Sequence, residues 1–570
     1  MTRRRMPRPL QFVVLALAAL VLSACAGLPT SGPVFAGLKP GAVAPPDFSF
    51  IPLKPQDGAT PEQIVQGFID AGTGPDGNWG VAQLYLAPSF RSQWKPNEGT
   101  TIDDRSHRTY TKSADDKVTL TITQRATVDA TGAYRASDGG RSTLAPFSLA
   151  KVDGQWRITK APNGIVIGAD QFSSVYDQYA VMYFDPTWHY LVPDVRWYPS
   201  YNAATRIAQN LIDGKPTPWL ADSVTSAFPD SISLNVPSVP LSASGVARVE
   251  LSGPVYSLEP QTLDRMQTQL RASLAGAGVS DVSMTYGGAQ VSAGTVATTA
   301  TRIDSRALVD TEKGFGFLSP GDQVETVAHV SDALKAVQPV GIELSADYAA
   351  AAVRTASGAV ARVTTEVAAL DQRAGLIDPA IDAAGMIWSV PAADPSALEA
   401  FGADGKRHAV NSGAWSNASS IRAMAVSRDG TRIAALLDVG GQDVVQVAGI
   451  VRGAGGVPER LGDAVQLSAL PGRGIDLTWV DDSTVAAVAR SGGADDATAV
   501  IRQIVGGPST VTAAPADITT IAGTVGTTVR LRGADRTLYA QRGSNWEQAG
   551  TGIRVLATVQ GMPPQAQTSG

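Results

Sequence analysis

One thiol stands in this chain of 570 residues, Cys25. A lone cysteine has no partner for an intramolecular disulfide, no companions for a thiolate metal site and no second sulfur for a Cys-x-x-Cys redox motif. Its neighbours choose among the chemistries left. Arg3, Arg4, Arg5 and Arg8 lie upstream, and an uncharged run leads from Gln11 to Leu22, Ser23 and Ala24. A basic segment, an apolar run and small residues at its end make an export signal. The run is short for a permanent span of about 30 Å of hydrocarbon, which takes roughly 20 residues.

Leu22-Ser23-Ala24-Cys25 resembles a bacterial lipobox: leucine, two small residues, then cysteine. The resemblance implies that Leu22, Ser23 and Ala24 are read by the signal peptidase. Cleavage before Cys25 would then be joined with S-diacylglycerol on the thiol and N-palmitoyl on the new amino terminus. Several acyl chains hold a protein where one binds only marginally. No free thiol would remain, which suits an exported setting. Removing residues 1–24 takes away four arginines and no acid, so the formal charge moves from -6 to -10. Charge then disfavours binding to nucleic acid or anionic lipid. Lipid, rather than the protein surface, would fix the chain to the extracytoplasmic face of the cell membrane.

The other reactive side chains are dispersed. His107, His189, His329 and His408 fall in different segments without an i,i+4 pair, so a zinc site would need several domains. His189 reads as a packed or hydrogen-bonded neighbour of aromatic residues. Ser92-Gln93-Trp94-Lys95 matches Ser-x-x-Lys, and Ser233-Leu234-Asn235 imitates a second motif of penicillin-binding enzymes. No Lys-Thr-Gly follows, and the two stretches sit in different expected domains. The chain has no Gly-x-Ser-x-Gly elbow and no phosphate-loop lysine, and the stretch 314–321 fails at the third glycine of a dinucleotide loop. The pairs Asp103-Asp104, Asp115-Asp116 and Asp495-Asp496 read as solvated turns. Calcium or glycosidase roles would require convergence in space. The sequence nominates no catalytic residue, metal ligand or cofactor, and the expectation is a protein that is not an enzyme.

The elements around these residues suggest several domains on the prior of roughly 150 residues each. Residues 25–47, rich in Gly, Pro and Ala, read as a flexible tether. In 48–167, Thr60, Pro61 and Gln63 spell a capped helix with Ile64, Val65, Phe68 and Ile69 inward. A second helix is expected around Val81, Leu84 and Tyr85. Val118, Leu120 and Ile122 alternate as a strand, and Asp153-Gly154 marks a hairpin before Trp156 and Ile158. Helices followed by an antiparallel sheet resemble an NTF2-like cone.

Residues 168–298 give the order β-β-α-β-α-β, an α+β sandwich. Leu263, Met266, Leu270 and Leu274 share one helix face. Trp188, Arg196, Trp197, Tyr198, Tyr201 and Trp219 cluster here. They read as core packing or as a partner- or glycan-binding patch, since Trp, Tyr and Arg are favoured at interface centres. Residues 299–560 repeat a strand, a polar turn and an Ala/Val-rich strand at 342–354, 424–437 and 477–490. Short-strand repeats of this period predict a β-propeller, with about six blades. Residues 561–570 read as a disordered tail.

The fragments "LVPDVR", "LIDGKP", "ARVELS" and a Gln-x-Gln-Leu helix resemble, in this order, a GerMN domain. Lipobox, NTF2-like domain, GerMN domain and propeller together resemble the actinobacterial lipoprotein family LpqB. The resemblance implies a membrane-anchored accessory lipoprotein that binds the extracytoplasmic domain of a sensor histidine kinase in an Mtr-type two-component system. It also implies a link to cell-envelope and division control. A cell-wall glycan binder and a propeller hydrolase are the alternatives.

Overall fold

The structure is a computed structural model that describes residues 52–492, 497–526 and 528–563. Cys25 with Leu22, Ser23 and Ala24, the tether, Asp495-Asp496 and all of the tail after residue 563 lie outside the described residues.

Thr60 opens the first helix, α1 (Pro61–Asp70). Its hydroxyl accepts from the Gln63 N–H at 3.3 Å, and the Gln63 side chain accepts from the Thr60 N–H at 2.8 Å. Two helix-end donors are thereby satisfied, and Pro61 occupies a position that needs no donor. Ile64, Val65, Phe68 and Ile69 are all buried. They pack on a sheet of β1 (Gly99–Asp103), β2 (Thr109–Ala114), β3 (Lys117–Asp129), β4 (Tyr134–Val152), β5 (Gln155–Lys160) and β6 (Ile165–Gly168). Its order is β5-β4-β3-β1-β6, with β2 also on β3. Val118, Leu120 and Ile122 point inward as expected. Asp153 and Gly154 both take positive φ, 50° and 77°, the turn geometry that matches strand twist. A register shift at Gln124/Ala126 adds local twist to β3.

Three expectations are amended in this domain. The second helix, α2 (Asp76–Leu84), begins with Gly77, Asn78 and Trp79 in left-handed conformation. The buried Trp79 indole donates to Gly72 O at 3.0 Å and anchors that turn. Val81 and Leu84 are therefore only half-buried. Asp103 is no solvated turn: it is fully buried and grips Arg108 through two bonds of 2.8 and 2.7 Å. The first core also runs past residue 167, taking in Phe172, Val175 and Tyr176.

The middle domain begins with the hairpin β7 (Asp177–Phe184) and β8 (Leu191–Tyr198), followed by helix α3 (Ala203–Ile212). The parallel strands β10 (Val246–Ser252) and β11 (Asp281–Tyr286) are joined by α4 (Pro260–Leu274). Two-residue edge strands, β9 (Ser233–Leu234) and β12 (Ala289–Gln290), complete that four-stranded sheet. They are too short to show a period of two in sequence. Met266, Leu270 and Leu274 meet Ile207 and Leu211 in the core, with Leu263 only partly buried beside them.

The third domain is a β-propeller of six four-stranded blades among the described residues: four are separate sheets, and two are joined into one eight-stranded sheet by parallel pairing of Glu343 and Leu344 with Thr558 and Val559. Their innermost strands are Pro339–Leu344, Ala380–Ile381, Ser420–Val426, Arg473–Trp479, Ile518–Gly523 and Val555–Val559. The last of these completes the first blade, pairing Leu308 with Ala557. The repeats seen in sequence are hairpins between first and second strands. In each, a turn aspartate receives its neighbours' donors: Asp347 from Ala349 N, Asp429 from Thr431 N and Asp481 from Ser483 N. Ala351, Ala352, Ala434, Ala435, Ala486 and Ala487 are at most 2% exposed, small enough for close blade-to-blade packing.

Candidate functional site in the domain junction and the propeller axis

The aromatic cluster of the middle domain is not an exposed patch. Arg196, Trp197 and Tyr198 are 2%, 5% and 2% exposed, and Trp188 and Trp219 are half-buried. Strand β8 sends Arg196, Trp197 and Tyr198 into the seam where all three domains meet, whereas Tyr201 beyond it is 45% exposed. Arg196 binds Asp194 Oδ2 at 2.7 Å and Thr131 Oγ1 at 2.7 Å in the β3–β4 turn. Asp194 also accepts from Thr217 N at 2.8 Å. The Trp197 N–H donates to Gly132 O at 2.9 Å and its indole to Gly506 O at 2.8 Å. Two glycines make this approach possible. A Cβ on Gly132 would lie 2.5 Å from the Tyr198 ring, and one on Gly507 would lie 2.8 Å from the Trp197 indole.

Trp219 sits on the short helix Pro218–Ala221, which packs on blade strands Gln442–Arg452 and Pro458–Ala469. Close by, Asp222 pairs with Arg460 at 2.6 Å. Trp188 packs under Arg265, whose guanidinium lies 4.0 Å from the ring centroid. What was legible as an interface is thus an interface within the chain. A cavity of about 290 Å³ remains at the seam, between Tyr134, Arg135, Asp194, Trp219, Gln466 and Val505.

The other sequence candidates stay apart. Ser92 and Lys95 belong to the first domain, Ser233 and Asn235 to the second. His189 is exposed, and its Nδ1 lies 2.9 Å from Thr187 Oγ1. Among the described residues no three His, Cys, Asp or Glu side chains are placed to hold a metal ion. The first domain encloses an apolar cavity of about 140 Å³ lined by Phe68, Trp94, Ile122 and Phe147.

Six charged side chains meet in one cavity on the propeller axis, a grouping not expected from the sequence. A cavity of about 90 Å³ is walled by the innermost strands of five blades and by Asp378 and Pro379, just before that of the sixth. Glu343, Asp378 and Asp476 reach it together with Arg428, Arg532 and Arg554. Glu343 accepts from Ile381 N at 2.8 Å, Gln560 Nε2 at 2.9 Å and Thr558 Oγ1 at 3.1 Å. Asp476 accepts from Leu477 N and Ile521 N, each at 2.9 Å. Burial pushes both carboxyls up, each to about 7. Burial also raises Asp378, against the pull of Arg354, which donates to it at 2.6 Å.

Glycines again make the room. A Cβ on Gly341 would lie 2.1 Å from Asp378 Oδ1, and one on Gly523 would lie 3.2 Å from Arg428 Nη2. A wider opening of about 490 Å³ is built on the residues just before these, including Ile377, Ile475 and Thr519, with Arg422, Arg473 and Arg490 around it. Of these arginines, Arg422 pairs with Asp443 at 2.9 Å and Arg490 with Asp517 at 2.7 Å.

Family models match the chain in two places. The model described as the lipoprotein LpqB N-terminal domain covers residues 54–173, and the lipoprotein LpqB beta-propeller domain covers 317–556. Lipoprotein LpqB of Cutibacterium acnes is 29% identical over 289 residues, 50% of this chain and 48% of that protein. Against that relative, the matched segment spans about half of its length. Lipoprotein LpqB of Streptomyces coelicolor is 26% identical over 558 residues, 85% of this chain and 87% of that one. A solved chain of a nidogen/laminin complex aligns at 13% identity over 44% of this chain and 96% of its own. Its TM-score of 0.32 is too low to carry any argument.

Proposed function

The chain belongs to the lipoprotein LpqB family, whose two domain models together cover more than half of it. From that premise we propose a membrane-anchored, non-enzymatic accessory protein of the extracytoplasmic face. It binds and tunes the extracytoplasmic domain of a sensor histidine kinase in an Mtr-type two-component system of envelope and division control. The observation that carries the reading is the buried seam. Arg196, Trp197 and Trp219 tie three modules into one compact unit. Such a body holds its outer surfaces at fixed separation, as a contact protein requires. The turn aspartates also favour this reading, because they are occupied by their own backbone donors.

No described helix is long and apolar enough to cross a membrane, so anchoring in this reading rests on Cys25. Cys25→Ala abolishes palmitate labelling and releases the chain from membranes; labelling that persists refutes the anchor. For the partner, the detergent-extracted full-length lipoprotein is passed over the immobilised kinase domain beside an unrelated lipoprotein. Retention no greater than the control's refutes the partnership.

A further inference from the structure

The cavity at the seam has three walls, one from each domain. Tyr134 and Arg135 on β4 belong to the first, Trp219 to the second, and Asp463 and Gln466 on the blade strand Pro458–Ala469 to the third. Its volume of about 290 Å³ lies at the small end of ligand pockets, which start at roughly 300 Å³ and favour domain junctions. Arg135, Asp463 and Gln466 are exposed, so they mark its mouth.

Two aromatic side chains are held firmly in this cavity. Trp219 is half-buried and packs on both the middle-domain core and a propeller core. Tyr134 is half-buried too, its ring centroid 5.9 Å from that of Phe172 and 6.3 Å from that of Trp197. Burial pushes its hydroxyl up to about 12, so it remains a donor at neutral pH. The polar ends around these rings are uncommitted. Among the described residues, the Trp219 indole, the Tyr134 hydroxyl and the Arg135, Asp463 and Gln466 side chains make no hydrogen bond or ion pair within the chain. Asp194, the other acid in the wall, is spent on Arg196 and Thr217.

These groups define a ligand chemistry. One free guanidinium and one free carboxylate offset each other, so neither an anion nor a cation meets complementary charge overall. A guanidinium donates in a fork, a carboxylate accepts at two oxygens, and an amide does both. Such groups suit adjacent hydroxyls, each of which donates and accepts. The negative face of an aromatic ring attracts the weakly positive C–H face of a saturated ring. A neutral saturated ring with a C–H face and a rim of hydroxyls is a sugar.

We propose that the seam cavity binds one ring of a neutral sugar. Its C–H face lies on Trp219, and its hydroxyls engage Arg135, Asp463, Gln466 and the Tyr134 hydroxyl. The ligand then touches all three domains at once. This binding requires no kinase, so it stands or falls apart from the proposed function.

The full-length lipoprotein, extracted in a detergent without a sugar head group, is titrated by saturation-transfer NMR with glucose, galactose, mannose and xylose. Glycerol and cyclohexanol run beside them. Glycerol keeps adjacent hydroxyls without the ring, and cyclohexanol keeps the ring without adjacent hydroxyls. At least one sugar binds saturably with Kd on the order of 1 mM, and both truncated probes bind at least about tenfold more weakly. Arg135→Ala and Asp463→Ala, at exposed positions, each weaken that sugar about tenfold, and Trp219→Leu abolishes saturable binding. The two exposed-site variants carry the test if Trp219→Leu misfolds. A trisaccharide of the same sugar that binds as well as the single ring assigns the site to the end of a glycan chain; one that fails to bind assigns it to a free sugar. No saturable binding of any of the sugars, glycerol or cyclohexanol binding as tightly, or sugar binding unchanged in both exposed-site variants overturns the proposal.

Discussion

Arg196 at the domain seam and Arg428 on the propeller axis are both drawn away from bulk solvent, yet the chain treats them differently. Arg196 meets a carboxylate, a threonine hydroxyl and two carbonyls, leaving only its Nε without a partner. Arg428 meets two carbonyl oxygens and no acid. Burying an ion pair with its hydrogen bonds complete builds structure, and removing one partner costs about 3–5 kcal/mol. Arg428 is half-buried and feels Asp482, Asp481, Glu343 and Asp429 only at longer range, so it contributes less to stability than a bonded ion pair. Polar burial alone does not mark a functional group.

The largest effect of a single substitution comes from removing each arginine in turn. Arg196→Met leaves the buried Asp194 without its counter-ion and with only the Thr217 donors, and costs about 4 kcal/mol in denaturant unfolding. Arg428→Gln changes stability by no more than about 1 kcal/mol. Equal losses would erase the contrast. Next, Gly507→Ala drives a methyl group into the Trp197 and Ile504 side chains, at 2.8 and 2.9 Å, and costs about 2 kcal/mol by overpacking. Stability left intact would mean that the Trp197–Gly506 contact is loose.

The axis has a pH signature of its own. Burial raises Glu343 and Asp476 to about 7 in the fold, well above the ~4 of an unfolded chain. The folded state then keeps protons that the unfolded state has released. Their contribution is complete below pH ~4 and is lost as pH climbs through about 7. The double change Glu343→Gln with Asp476→Asn flattens that decline by about 5 kcal/mol between pH ~5 and ~7.5, about half from each acid. The slope of Tm against pH is the readout, because the amides shift the level as well. An unchanged slope would place neither acid in a dry site. Thr60→Ala, remote from both regions, is the smallest: loss of the capping box costs about 1 kcal/mol, and unfolding of that variant calibrates the others.

Much of this was legible in the residues. Thr60, Pro61 and Gln63 marked a helix end, and Val118, Leu120 and Ile122 an inward face, because capping and alternation are local. The propeller announced itself because its hairpins repeat. The seam did not, since Trp197 is covered by Gly506 and Gly507, some 300 residues further on. An aromatic cluster looks the same in sequence whether a partner or a distant loop covers it. The axis was hidden for a related reason. Glu343 lies between Ile342 and Leu344, and Asp476 between Ile475 and Leu477. Such an acid reads as the wet face of a strand until closure of the ring turns that face inward. The faint signal available was an acid flanked by aliphatics in the first strand of a repeat.

The first blade borrows its innermost strand, Val555–Val559, from residues made more than 200 positions after Leu308–Thr311. Closure is therefore a late event in the life of each molecule. Until Val555–Val559 is made, Leu308–Thr311 lacks its inner partner, and open strand edges recruit other strands. The ring around Glu343 and Arg428 cannot be complete before that strand arrives.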